Sequence, residues 1–278
     1  MTASPNLVAG HYPCIFQVLR ARYAPVATTY GPGKLRPGEG PKSHGHGRYA
    51  GPMMTSTSKS PRLDVRVDAV LCDMDGTIVD SNAMVEQMWS AFASEQDLNA
   101  REVIAFAHGV PSIDTLRRFV GEPAQVEAWF ARISRWEHEH FFEVAEIAGA
   151  GEFLRRLPGS AWAVVTSALH AAAAARLEAV GLPVAPVLIG ADDVHRGKPD
   201  PEGFVAAARV LGVDPARCIV FEDTVAGITA ARAAGTLAAV MGTVEHPVME
   251  GIPRLSNWRG VSAAVEADGR LHLWSNED

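Results

Sequence analysis

The chain has 278 residues, of which 47% are hydrophobic, and a formal net charge of −7. That is enough apolar material for a sizeable core in one or two domains. No apolar run reaches the ~18 residues that a membrane helix needs, so we expect no membrane partner; we also expect no nucleic-acid partner and a monomer or weak dimer. The three cysteines, Cys14, Cys72 and Cys218, show no metal or disulfide spacing. Cys72 and Cys218 fall in predicted strands, which suggests buried thiols in a reducing cytoplasm.

The charge is unevenly divided. Residues 1–62 carry eight Lys/Arg and one acid, Glu39, for +7, whereas the rest of the chain carries −14. This first segment is rich in Gly and Pro, lacks sustained periodicity and reads as disordered. Alternative readings are a targeting peptide, an anion-binding arm, or an over-long start with translation beginning at Met53 or Met54. No contiguous apolar stretch of a secretory signal is present, and His44 and His46 read as solvated.

Val67–Cys72 is short, mostly apolar and partly β-branched, which predicts a buried strand. It delivers Asp73 and Asp75 to a turn at Gly76. Two carboxylates one residue apart repel unless a cation or proton relieves them. One can then serve as a metal-held nucleophile while its neighbour moves protons. The structural alternative is a turn in which one Asp caps the following helix.

After Ser81 a stretch reaching about Ala148 shows helical spacing: Met84, Met88, Trp89 and Phe92, then Trp129, Phe130, Ile133, Trp136 and Phe141. This stripe reads as core packing rather than a cofactor box. Beyond it, strands are expected near 162–166, 186–189, 217–221 and 237–240, separated by Ala-rich helices. That alternation predicts an α/β fold with a doubly wound parallel sheet. Residues 261–265 and 270–274 around Asp268-Gly269 predict a closing hairpin.

Three of these strands end near polar groups: Thr166-Ser167, then Lys198 in Gly197–Pro201, then Glu222-Asp223. Each has an ordinary reading. Thr166 or Ser167 could cap the next helix, Lys198 could be a loop cation, and Glu222-Asp223 could sit favourably at a helix N-terminus. It is the four signals together, in one order, that point to a site.

With these residues in view, the chain resembles haloacid dehalogenase superfamily phosphatases of the phosphoglucomutase-like, sugar-phosphatase branch. The matching segments are Asp73–Thr77, Val164–Ser167, Gly197–Pro201 and Phe221–Asp223 with Gly227-Ile228. The resemblance implies a Rossmann-like core formed by 63–81 and 149–278, with an α-helical cap at 82–148. It implies Asp73 as nucleophile and Asp75 as acid and base, with Thr166, Ser167 and Lys198 on the phosphate. It further implies Mg²⁺ held by Asp73, Asp223, the Asp75 carbonyl and Glu222, the last as ligand or support. Dehalogenases of the superfamily lack the second Asp and transport ATPases carry Thr there, so Asp75 favours phosphatase or phosphomutase chemistry. His108, in the loop 108–114, resembles a substrate-facing position; Pro111 stands where some relatives carry Arg. A small phosphorylated sugar or polyol is the expected substrate. A β-phosphoglucomutase-type phosphomutase is the alternative enzyme, and a non-catalytic phosphate-binding regulatory protein the alternative of another class.

Overall fold

A computed structural model describes residues 61–276. The expected disorder of 1–62, and the reading of His44, His46 and Cys14, therefore lie almost wholly outside the described residues. The centre is a six-stranded parallel sheet of β2 (Ala69–Cys72), β5 (Trp162–Val165), β6 (Leu188–Ile189), β7 (Cys218–Glu222), β8 (Leu237–Met241) and β9 (Arg254–Leu255). Their spatial order is β6-β5-β2-β7-β8-β9. Every residue of β2, β5 and β7 is buried, as expected for parallel strands covered on both faces.

Alternating side chains feed two cores. Val70, Cys72, Ile219 and Phe221 point to one, with Phe153, Trp162 and Trp258. Leu71, Val165 and Val220 point to the other, with Phe204, Ala207 and Ala230. Each large side chain so buried contributes roughly 1.5–3 kcal/mol before the cost of ordering it. The covering helices are α5 (Ala150–Arg156), α6 (His170–Ala179), α7 (Glu202–Leu211) and α8 (Val225–Ala234). In α8 the buried residues are Gly227, Ile228, Ala230 and Ala231. Three of them are small, so the helix can lie close to the sheet.

The run 67–72 is not one strand. The structure breaks it at Asp68, whose N–H donates to the Arg217 carbonyl at 2.7 Å. β1 (Asp64–Val67) instead joins β10 (Val261–Val265) and β11 (Leu271–Ser275) in a separate antiparallel sheet, order β1-β11-β10. The predicted closing hairpin is present, and its partner strand β1 ends at Val67, the first residue of the strand read over Val67–Cys72.

Between β2 and β5 the chain leaves and returns through a short antiparallel pair, β3 (Val79–Asp80) with β4 (Ala145–Glu146). Four helices lie between them: α1 (Asn82–Glu95), α2 (Ala100–Ala107), α3 (Ser112–Phe119) and α4 (Pro123–His140). Met84, Met88, Trp89, Phe92, Phe130 and Ile133 of the predicted stripe are buried, whereas Trp129, Trp136 and Phe141 are half-buried. Among the described residues no helix is long and apolar enough to cross a membrane.

Candidate active site

β2 is the central strand from which the chain winds outward in both directions, to β5 and β6 on one side and to β7, β8 and β9 on the other. Ligands in open α/β sheets bind at such a switch point, beyond the carboxyl ends of the strands. Asp73 leaves β2 there, its N–H donating to the Phe221 carbonyl of β7 at 2.9 Å. The chain then winds tightly, with the N–H groups of Ile78 and Val79 both donating to the Met74 carbonyl at 2.9 Å. Gly76 sits at φ +82°, and a Cβ there would run into the Asp223 carboxylate. Glycine is thus required for the turn and for the approach of β7's carboxylate. Thr77 fastens the same contact, its hydroxyl donating to Asp223 Oδ1 at 3.3 Å, while Trp258 Nε1 donates to the Thr77 carbonyl at 2.8 Å.

Lys198 arrives on the loop before α7, next to a cis Lys198–Pro199 bond, and is buried. Its ammonium donates to Asp73 Oδ1, and to Glu222 Oε1 at 2.7 Å. The other Glu222 oxygen accepts from the N–H and hydroxyl of Thr224, at 2.6 and 2.8 Å. Thr224 in turn caps α8, accepting from the Gly227 N–H at 3.1 Å. Gly227 leaves the Glu222 carboxylate the space that any Cβ would take. Thr166, at the end of β5, is buried and its Oγ1 accepts from the Ala168 N–H at 3.1 Å. Ser167 donates to the Gly109 carbonyl at 2.8 Å, tying the β5 exit to the helical segment.

Oxygens of Asp73, Glu222 and Asp223 come within 4.8 Å of one another. Burial pushes the Asp73 carboxyl up to about 7; Lys198 pulls it down, and Glu222 adds to the rise. Burial also raises Asp223 well above the usual carboxylate range, with Glu222 and Asp73 contributing. Burial alone would lower the Lys198 ammonium, but Asp73 and Glu222 outweigh it and keep the lysine charged. We take Lys198–Asp73 as an ion pair, and the upward shift of Asp73 as the mark first of its burial, with the neighbouring Glu222 and Asp75 carboxylates adding to it against Lys198. An all-oxygen cluster with excess negative charge fits a hard divalent cation and offers nothing soft to zinc.

Asp75 faces a different group. Arg176 Nη1 donates to both of its oxygens at 3.0 and 3.1 Å, and Ser81 Oγ donates to Oδ1 at 2.6 Å. Arg176 Nη2 donates to Glu137 Oε1 of α4 at 2.8 Å, so one guanidinium joins core and helical segment. Burial raises the Glu137 carboxyl, against the pull of Arg176. His108 ends α2, with Nε2 4.0 Å from Glu86 Oε1, and lines the same cavity as Asp73, Asp75 and Thr166.

The family profile for haloacid dehalogenase-like hydrolases matches residues 67–235. The chain belongs to this family. It is 38% identical over 175 residues to hexitol phosphatase A of Escherichia coli, covering 62% of this chain and 81% of that protein. It is 33% identical over 184 residues to glycerol-1-phosphate phosphohydrolase 2 of Saccharomyces cerevisiae, covering 62% and 74%. A β-phosphoglucomutase structure from Clostridium difficile shares the fold at TM-score 0.62 and 18% identity, over 69% of this chain and 91% of that one.

The motif residues of all four segments thus converge at one end of one sheet. Sequence reasoning missed Arg176, Glu137, Ser81 and Trp258. Two of them left a signal. Arg176 lies on the buried face of α6 with Ala173 and Leu177, and Glu137 on that of α4 with Val126, Phe130 and Ile133. A charge at a stripe position calls for a buried partner.

Proposed function

We propose that this hydrolase is a Mg²⁺-dependent phosphatase of small sugar or polyol monophosphates, working through an aspartyl-phosphate. The observation that carries the reading is Asp73, buried at the carboxyl end of β2 beside Lys198 and the Glu222–Asp223 pair, with Asp75 on the same turn. The relatives named for hexitol and glycerol 1-phosphate hydrolysis support the substrate class.

Phosphoryl transfer needs an in-line nucleophile, neutralised equatorial oxygens and a proton for the leaving oxygen. An Asp73 oxygen forms the bond to phosphorus as the bond to the alcohol oxygen breaks, and Asp75 supplies the proton that alcohol takes. Water then attacks the aspartyl-phosphate, Asp75 accepts its proton, and phosphate leaves. Lys198 balances negative charge on Asp73 and the phosphoryl group. Thr166, Ser167 and adjacent N–H groups hold phosphoryl oxygens. Asp73, Asp223 and the Asp75 carbonyl would hold Mg²⁺, with Glu222 completing the cluster and anchoring Lys198. The bound ion would neutralise phosphoryl charge and fix its orientation. We read α1–α4 as a cap over the core, excluding bulk water. The free thiols of Cys72 and Cys218 suit a cytoplasmic protein.

The test is phosphate release from a panel of sugar, polyol and nucleotide monophosphates and p-nitrophenyl phosphate, after EDTA treatment and dialysis. Activity should vanish with the metal and return with Mg²⁺. Undiminished release after verified metal removal would exclude the mechanism.

A further inference from the structure

The cavity beside Asp73 and Asp75 is bounded on its helical side by Asn82, Met88, Trp89, His108, Ser112 and Glu137. Glu137 is the one carboxylate among these six. Its side chain is only 10% exposed, and Oε1 is taken by Arg176. Oε2 has no hydrogen-bond partner among the described residues. It is not among the fully buried atoms that lack a partner, so it stands open to solvent or a ligand on a residue that lines the cavity. Arg176 commits Nη1 to both oxygens of Asp75 and Nη2 to Glu137, and its Nε, which has no partner, is fully buried out of a ligand's reach. It is the only guanidinium or ammonium among the described residues lining this cavity. A leaving group therefore meets a carboxylate acceptor, an amide, a hydroxyl and an imidazole, and no uncommitted strong cation.

We infer that Glu137 is a specificity-determining residue that accepts hydrogen bonds from hydroxyls of the leaving alcohol, with Arg176 as its positioning residue. The pair admits neutral, hydroxyl-rich leaving groups and rejects those with a second anion, whether carboxylate or phosphate. This rests on the phosphatase reading and narrows it. A phosphomutase must hold a bisphosphate, whose second phosphate would here face Glu137 without a free counter-charge.

The test uses the full chain with Mg²⁺ and three probes: sorbitol 6-phosphate (hydroxyl-rich), p-nitrophenyl phosphate (no hydroxyls) and 2-phosphoglycolate (anionic). Glu137→Gln should lower kcat/KM for sorbitol 6-phosphate about 10- to 100-fold more than for p-nitrophenyl phosphate, mainly through KM. It should also narrow the preference for sorbitol 6-phosphate over 2-phosphoglycolate at least tenfold. Glu137→Asp keeps the charge and withdraws the oxygens, so it should lose the sorbitol preference yet still reject 2-phosphoglycolate. Parallel changes on all three probes, or unchanged ratios, would overturn the inference, as would a wild-type preference for 2-phosphoglycolate. No Mg²⁺-dependent release by the wild-type chain from any probe would instead overturn the phosphatase reading, and this inference with it.

Discussion

The two sides of the cavity hold their polar groups by different means. On the core side, Asp73, Thr166 and Glu222-Asp223 stand where parallel strands end, and backbone hydrogen bonds fix strand register to neighbouring strands. Glu222 is braced at both oxygens, and Lys198 joins the end of β7 to Asp73 just past β2. On the helical side, Asn82, His108, Ser112 and Glu137 come from four separate helices or their ends. They are placed by helix packing, such as the edge-on Phe92–Trp129 pair between α1 and α4, rather than by a shared ladder. The strand ladders fix the backbone from which the core-side groups leave, whereas the helical-side groups depend on how four helices pack. The core side therefore suits chemistry that tolerates little displacement, and the helical side suits selection among leaving groups.

That contrast is broken most severely at Asp73. Asp73→Asn keeps the shape but removes the proposed nucleophile and metal ligand, so kcat should fall by more than ~10³ with circular dichroism unchanged. Near-native kcat in steady-state kinetics would defeat the core-side assignment. Next comes Lys198→Met, which leaves Asp73 and Glu222 buried without their ammonium. Breaking a buried pair this way costs about 3–5 kcal/mol, and losing its charge should lower kcat by about 10²-fold. Urea unfolding should show a lower midpoint at unchanged slope, alongside the kinetic loss. Stability equal to wild type would mean that the core side is less tightly braced than described.

The smallest effect sharpens the boundary between the sides. Gly109, at φ +75°, lies against Thr224, and its carbonyl accepts from Ser167. Gly109→Ala adds a Cβ where the loop meets the core, with backbone strain of about 1–2 kcal/mol. The helical segment should be displaced more than the core. We expect KM to rise and kcat/KM to fall by about tenfold, with a melting temperature within a few degrees of wild type. An equal fall in kcat with unchanged KM would show that the approach serves the chemical step instead.

The four polar motifs were legible because each depends on local order. A short apolar run followed by a turn or loop with Asp, Thr, Lys or Glu-Asp is visible in a few consecutive residues, and in a parallel sheet every such run ends at the same edge. The alternation of strand and helix fixed the α/β class in the same way, and the aromatic spacing after Ser81 fixed the helical segment. What the sequence left open depends on contacts between distant residues. The break at Asp68, which sends β1 to pair with β11, turns on strands some 200 positions apart. Trp258 reaching Thr77, and Arg176 linking Asp75 to Glu137, likewise join residues with no local pattern in common. Sequence determined which groups reach the strand ends, because strand and turn propensities act over a few residues. Only tertiary structure decided how those groups are paired and which helical residues face them, because buried charges are satisfied by whichever partners packing brings within ~3 Å.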